Sequence, residues 1–256
     1  MQLTACSLLH TLSGSFVVSE DGHMAPSVFS TALRAFAIAL PGIALLPFVV
    51  EPPEGIPAVL LMVNPLVLTL VMCLAGAATA PRLGLAAEWI LGSTLDLAIL
   101  RLGLVTGLVA GLLAAVIDQF SAPLWQTADL TIPTLLDGAG PMQLILGVLY
   151  GGLTEEIMLR WGLLSLLFWA LAKALPRGAA CWIAVIAAAF LFAAGHLPAV
   201  LASGAELAPA LLIRILGLNA ALGIVYGLLY VRKSLGAAMA AHAGTHLAVF
   251  LLGLVW

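Results

Sequence analysis

The chain alternates long apolar runs with short polar connections. A helix needs about 20 apolar residues to cross the ~30 Å hydrocarbon core of a bilayer. The period within the runs is helical or uniformly apolar, without the alternation typical of a strand. The pattern therefore predicts seven membrane-spanning helices, at residues 30–50, 56–80, 97–117, 141–174, 178–197, 207–231 and 235–256.

Composition narrows the class of protein further. Only 9 Lys and Arg and 12 Asp and Glu occur among 256 residues, so that 8% of the chain is charged and 63% is hydrophobic. Soluble domains average roughly 25% charged residues. The composition excludes a soluble globular enzyme, a nucleic-acid-binding protein and a disordered chain. We expect an all-α, polytopic transmembrane helical bundle that forms a single domain over residues 30–256 and lies in the lipid bilayer.

The polar segment 1–29 differs from the rest of the chain. It has no Lys or Arg before Arg34 and therefore lacks the basic region of a secretory signal. We interpret residues 1–23 as a disordered tail or as an upstream mis-start, with Met24 as the true first residue.

Loop charges predict the orientation of the bundle. Basic and acidic residues alternate between successive connections, and the cytoplasmic loops of membrane proteins are the basic ones. This alternation predicts a cytoplasmic N-terminus and a C-terminus on the opposite side of the membrane. We expect the membrane to be a bacterial plasma membrane. The basic connections carry Arg82, Lys173, Arg177, Arg232 and Lys233, and the acidic ones carry Glu51, Glu54, Asp118, Asp129, Asp137 and Glu206.

Several local patterns carry structural expectations. Span 141–174 is too long for one perpendicular crossing, so we expect it to tilt, to kink at Gly151 and Gly152, or to end along the interface. Residues 82–96 are predicted to form an interfacial helix. Gly103, Gly107 and Gly111 are expected to form a helix-packing stripe. Asn219 either makes an interhelical hydrogen bond, which we favour, or lines the cavity. Arg101 and Arg214 are expected to snorkel or to pair with nearby acids such as Asp96.

The densest cluster of charge within a span is Glu155, Glu156 and Arg160. Charges in hydrocarbon are costly and must face protein or water. Glu156 and Arg160 are four residues apart and can pair on one helix face. Glu155 points about 100° away from Glu156 and has no cation on its own helix. A free carboxylate of this kind is the usual state of a general acid or base. A buried ion-pair network that braces the bundle is the structural alternative.

Three histidines accompany this cluster. Phe192 and His196 are four residues apart, so that the phenyl ring can pack against the imidazole. The turn 175–178 lies midway between Glu155 and His196, which predicts that these two side chains face each other in a helical hairpin. His242 and His246 share one helix face and form either a metal-binding pair or a polar seam.

These motifs resemble those of a known family. Glu155-Glu156-x-x-x-Arg160, Phe192-x-x-x-His196 and His242-x-x-x-His246 resemble, in order and spacing, the three motifs of the CPBP family, which includes the type II CAAX prenyl endopeptidases. The similarity covers residues 140–250. The chain departs from the family at His246, where Asn is usual, at Trp161, where Arg is common, and at Leu159, where Phe is common.

The resemblance implies an intramembrane endopeptidase that cleaves a membrane-associated peptide or protein. Carried over by position, Glu155 would activate water with His196 as its partner, and His242 would hold the oxyanion or a metal. His246 would bind the oxyanion or serve as a further ligand. A metal-free glutamate mechanism and a Zn²⁺ site of Glu155, His196, His242 and His246 are both open. The rival function is a non-catalytic or degenerate relative that acts as a binding, immunity or transport-associated membrane protein.

Overall fold

The computed structural model describes residues 27–52, 55–92, 94–126, 132–202 and 208–256. Among these residues, seven helices are long and apolar enough to cross a membrane, and none of the described residues forms a strand. The predicted all-α bundle of seven spans is therefore confirmed, and the chain is an integral membrane protein. Residues 1–26 lie outside the described residues, as do Glu54, Asp129 and Glu206.

The spans follow the predicted apolar runs closely. The short helices α3 (Glu88–Leu91) and α8 (Leu197–Ala202) lie between them. The spans are α1 (Val28–Val49), a 3₁₀ turn (Ala58–Met62) leading into α2 (Val63–Leu83), α4 (Leu97–Trp125), a fourth span that begins with α5 (Pro141–Leu146) and ends with α6 (Ser165–Leu171), α7 (Arg177–Ala194), α9 (Pro209–Arg232) and α10 (Leu235–Gly253).

The fourth span is wound more widely than an α-helix in its middle. Gly147–Glu155 and Ile157–Leu164 are π-helical. The Ser165 hydroxyl donates to the Arg160 carbonyl five residues earlier, which the wide winding brings within reach. π-helical turns are rare overall, and those that occur are frequently found at functional sites. Here the wide winding surrounds the two glutamates.

The glycine stripe of α4 packs against α10, as predicted. A Cβ at Gly103, Gly107 or Gly111 would overlap the backbone carbonyls of Ala237, Ala241 and Thr245, respectively. The two helices therefore touch backbone to backbone, in the way that small residues allow in membrane proteins. This contact sets the height and rotation of α10, which carries His242 and His246.

The connection before α4 is less helical than predicted. Among the described residues between the end of α2 at Leu83 and the start of α4, only Glu88–Leu91 forms a helical turn, because Gly84 and Gly92 adopt left-handed conformations on either side of it. Trp89 is exposed, as expected of an interfacial anchor, whereas Glu88 is buried. The Glu88 carboxylate accepts a hydrogen bond from the Gly236 N–H in the first turn of α10, where a negative charge is favourable.

A buried ion pair fastens the opposite end of the bundle. Arg214 binds both carboxylate oxygens of Asp118, which lies within α4 rather than in a loop. Asp118 also accepts the Leu135 N–H at 2.7 Å. Arg214 pairs with an acid, as expected, but the acid is Asp118 rather than Asp96, which caps α4 at the other end of that helix. Asp118 and Arg214 thereby hold the loop formed by residues 132–140 in place.

Candidate active site

A cavity of about 470 Å³ lies within the bundle. Its walls come from the fourth span, α7, α9 and α10, and segment 134–140 forms its rim. Most of the lining is apolar. The polar side chains that reach it are Thr134, Gln143, Tyr150, Glu155, His196, Asn219, Tyr226, His242, Thr245 and His246.

The two adjacent glutamates have different partners. Glu156 is fully buried, and its Oε1 lies 3.1 Å from Nη1 of Arg160 and 2.8 Å from Nδ1 of His242. The Arg160 pair is an ion pair without an aligned hydrogen bond, because Nη1 makes no hydrogen bond while Nη2 donates to the Gly223 carbonyl. Glu155 faces the cavity instead, with Oε2 3.9 Å from Nε2 of His242. The predicted Glu156–Arg160 pair is confirmed, and Glu155 is the carboxylate that a substrate can reach.

His242 stands at the centre of a stack of rings. Its imidazole stacks on the Tyr226 ring at 4.6 Å between centroids and on the His246 ring at 5.2 Å. The Tyr226 hydroxyl donates to Thr245 on α10. Stacking on both faces and the Nδ1 hydrogen bond to Glu156 together fix the orientation of the His242 ring.

His196 lies just beyond the end of α7 on another wall of the cavity. Phe192 packs edge-on against the His196 ring at 4.7 Å, as predicted, and its carbonyl lies 3.0 Å from His196 Nδ1. The Phe192 ring also approaches His242, at 6.2 Å. Glu155 and His196 line the same cavity, although neither a hydrogen bond nor an ion pair joins them in the part of the chain that the structure describes.

Two glycines of the fourth span make room for the histidines of α10. A Cβ at Gly147 would overlap the His246 ring. A Cβ at Gly151 would lie 2.9 Å from Nε2 of His242 and 3.0 Å from Nε2 of His246. Both Nε2 atoms therefore converge beside Gly151, one helical turn before Glu155. The expected role of Gly151 was a kink; its position shows that it leaves space for the two imidazoles.

Hydrogen bonds at Nδ1 determine what each imidazole presents to the cavity. A carbonyl only accepts, so His196 donates from Nδ1 to Phe192. Glu156 is ion-paired with Arg160 and likewise accepts from Nδ1 of His242. In their neutral forms, His196 and His242 therefore expose Nε2 as an acceptor. Among the described residues of the lining, the side-chain N–H groups that remain for a substrate carbonyl belong to Asn219, Gln143 and His246.

The carboxylate and the imidazoles of the cavity are ligand types that zinc uses in proteins. Zinc in proteins takes three or four N, S or O ligands at about 2.0–2.3 Å. No group of three His, Cys, Asp or Glu residues in the described part of the chain is placed to hold a metal ion. The predicted set of Glu155, His196, His242 and His246 lines one cavity but does not converge on a point. In this arrangement the four side chains do not fit a resident zinc ion.

Sequence reasoning missed two residues of this site and misplaced a third. It did not single out Tyr226 or Gly147, and it favoured an interhelical role for Asn219. Asn219 donates to the Ile215 carbonyl of its own helix at 2.8 Å and lines the cavity. Asn219 and Tyr226 are seven residues apart, the spacing of one helix face, and this spacing was the available signal.

Fold and site together define an integral membrane protein with a carboxylate and three imidazoles inside an intramembrane cavity. Residues 138–248 match the family model described as type II CAAX prenyl endopeptidase Rce1-like. This match over residues 138–248 confirms the resemblance of the motifs to the CPBP family of intramembrane proteases. Comparisons with curated proteins and with solved structures gave no match.

Proposed function

We propose that this protein is an intramembrane endopeptidase in which Glu155 activates the attacking water. The observation that carries the proposal is the division of labour between the two glutamates. The Glu156 carboxylate contacts both Arg160 and His242, whereas the Glu155 carboxylate faces the cavity and is not paired with Lys or Arg among the described residues. A desolvated carboxylate that lacks a counter-ion is suited to take up and return a proton.

The hydrolytic step then balances as follows. A water hydrogen-bonded to Glu155 and to the acceptor Nε2 of His196 gives one proton to Glu155, and its oxygen bonds to the peptide carbonyl carbon. The C–N bond breaks with its electron pair on nitrogen, which takes the proton from Glu155. His242 Nε2, an acceptor 3.9 Å from Glu155 Oε2, lies beside the protonated acid. The products are a carboxylic acid and an amine.

Negative charge develops on the carbonyl oxygen during this step and needs donors. We assign that role to His246 and Asn219. The Asn219 amide is oriented by its hydrogen bond to Ile215, which leaves its second N–H free. A donor that is held in place before the reaction costs little reorganisation in the transition state.

The test compares Glu155→Gln with Glu156→Gln in proteoliposomes that contain a membrane-tethered peptide. Glu155→Gln should abolish cleavage and leave thermal stability near that of the parent protein, because the Glu155 carboxylate makes no hydrogen bond among the described residues and lies 3.9 Å from the neutral His242 ring. Glu156→Gln should instead lower the stability, since loss of one partner of a buried ion pair costs about 3–5 kcal/mol. Cleavage by Glu155→Gln at the parental rate would refute the assignment and favour the non-catalytic alternative.

A further inference from the structure

Basic and aromatic residues mark one end of the bundle. Of the 9 Lys and Arg residues, Arg160 lies at the site and Arg214 at the acidic end. The Lys173 ammonium lies 3.4 Å from the Trp169 ring centroid, and Arg232 lies 5.5 Å from that of Trp182. Lys and Arg in short loops are typical of the cytoplasmic side, whereas Trp marks a membrane interface on either side. The seven residues that define this basic end are Arg34, Arg82, Arg101, Lys173, Arg177, Arg232 and Lys233.

The cavity extends from the site away from the basic end. Its wall on the fourth span runs from Gln143 to Glu155, toward the start of that span. On α10 the wall runs from His242 to Phe250, toward the end of that helix. The rim segment 134–140 leads into the start of the fourth span and lies against Gly253 at the end of α10. All these ends lie opposite the basic end, so the cavity has its mouth on the far side.

The side of the site that faces the basic end is closed by packed core. Trp161, Leu164 and Phe168 of the fourth span are buried there, as is Tyr230 of α9. Residues 235–239 of α10 are buried as well, and the Leu235 N–H donates to the Ala86 carbonyl. At 1.5 Å per residue, about 10 Å of packed α10 separates its start from His242. A peptide on the basic side has no path to Glu155.

We propose that the site takes its substrate from the non-cytoplasmic side of the membrane. The cleavage itself rests on the proposed function, whereas the sidedness of the cavity does not. No Lys or Arg is among the described residues of the lining, and apolar side chains such as Leu144, Leu222 and Val249 dominate it. Such a lining offers no counter-charge for a terminal carboxylate. The substrate class is therefore an internal apolar segment of a membrane-associated peptide, presented opposite the basic loops.

Labelling with a membrane-impermeant maleimide tests the sidedness. Cys6, Cys73 and Cys181 are first replaced by alanine, and single cysteines are then introduced as Gln143→Cys and Lys233→Cys. Both positions are exposed, and Gln143 lines the mouth of the cavity whereas Lys233 lies at the basic end. In intact cells Gln143→Cys should react and Lys233→Cys should react only after permeabilisation. The reverse pattern would overturn the proposal.

Cleavage of a one-sided substrate tests the substrate class. Proteoliposomes of known protein orientation receive a lipid-tethered peptide with an internal apolar segment on one face only, with Glu155→Gln as the inactive control. Cleavage should occur only on the face where Gln143→Cys is labelled. Cleavage only from the basic face would overturn the proposal. Expected labelling with no cleavage from either face would instead refute the proposed function and leave the sidedness standing.

Discussion

Replacing Gly111 of α4 by alanine tests whether backbone contact with α4 positions the histidine-bearing helix. The new Cβ would lie 2.5 Å from the Thr245 carbonyl oxygen and 2.7 Å from the Thr245 Cα. Contacts between carbon and a carbonyl oxygen normally measure about 3.3 Å or more. The two backbones would have to separate by roughly 0.8 Å to restore that distance, next to His246.

The expected cost follows from a matched control. Overpacking of a close contact costs about 1–3 kcal/mol, while alanine is favoured over glycine in a helix by about 1 kcal/mol. Gly217 of α9 is exposed, and a Cβ there would meet nothing within 4 Å. Gly217→Ala therefore carries the helix preference without the clash. The free energies of unfolding of the two variants should differ by about 1–3 kcal/mol.

Thermal unfolding of both variants in the same detergent measures this difference. At about 2–4 °C per kcal/mol for a chain of this size, Gly111→Ala should unfold roughly 2–12 °C below Gly217→Ala. Equal midpoints would show that α10 yields at no cost, and would refute the view that the glycine stripe fixes its position.

Three further predictions concern the site and its rim. Gly151→Ala should lower the cleavage rate by about 100-fold or more, because its Cβ crowds the Nε2 atoms of His242 and His246. Gly152→Ala, whose Cβ has its nearest contact at 3.4 Å, should keep the parental rate. Equal rates in the two variants would contradict the crowding. Asn219→Ala should lower kcat by about 10²–10³-fold and leave KM within about threefold; an effect on KM alone would remove Asn219 from the oxyanion site. Arg214→Met should lower the free energy of unfolding by about 3–5 kcal/mol, because Asp118 is left buried without its cation; denaturant unfolding measures this loss. Additional replacement of Asp118 by Asn should recover part of the loss. An unchanged stability of Arg214→Met would show that the pair does not fasten the rim.

The sequence predicted those features that depend on spacing within one helix. The Glu156–Arg160 pair and the Phe192–His196 contact both follow from a separation of four residues. Apolar run length likewise predicted the spans, because the thickness of a bilayer leaves little freedom in helix length. These predictions need no knowledge of how one helix faces another.

Features that join two spans could not be predicted in the same way. The hydrogen bond between Glu156 and His242 depends on the rotation and height of α10 relative to the fourth span. The stacking of Tyr226 on His242 depends likewise on α9. A shift of one residue in either helix moves a side chain by about 100° around its axis, and apolar sequence gives no such register. The hairpin turn placed His196 opposite Glu155 before the structure did, whereas only the resemblance of the motifs placed His242 and His246 beside them.

The position of the site also depends on parts of the chain outside the matched segment 138–248. Gly107 of α4 allows α10 to approach at the residue before His242, and the Gly107 carbonyl accepts a hydrogen bond from Thr245. Glu88 caps the first turn of the same helix. On the other side of the site, Thr154 donates to the Ala39 carbonyl of α1. In the proposed mechanism the family motifs supply the reacting groups, whereas helices α1, α3 and α4 hold the two helices that carry Glu155 and His242 at a fixed register. Because a displacement of 1 Å costs about 100-fold in rate, substitutions in those outer helices should affect catalysis although they touch no reacting atom.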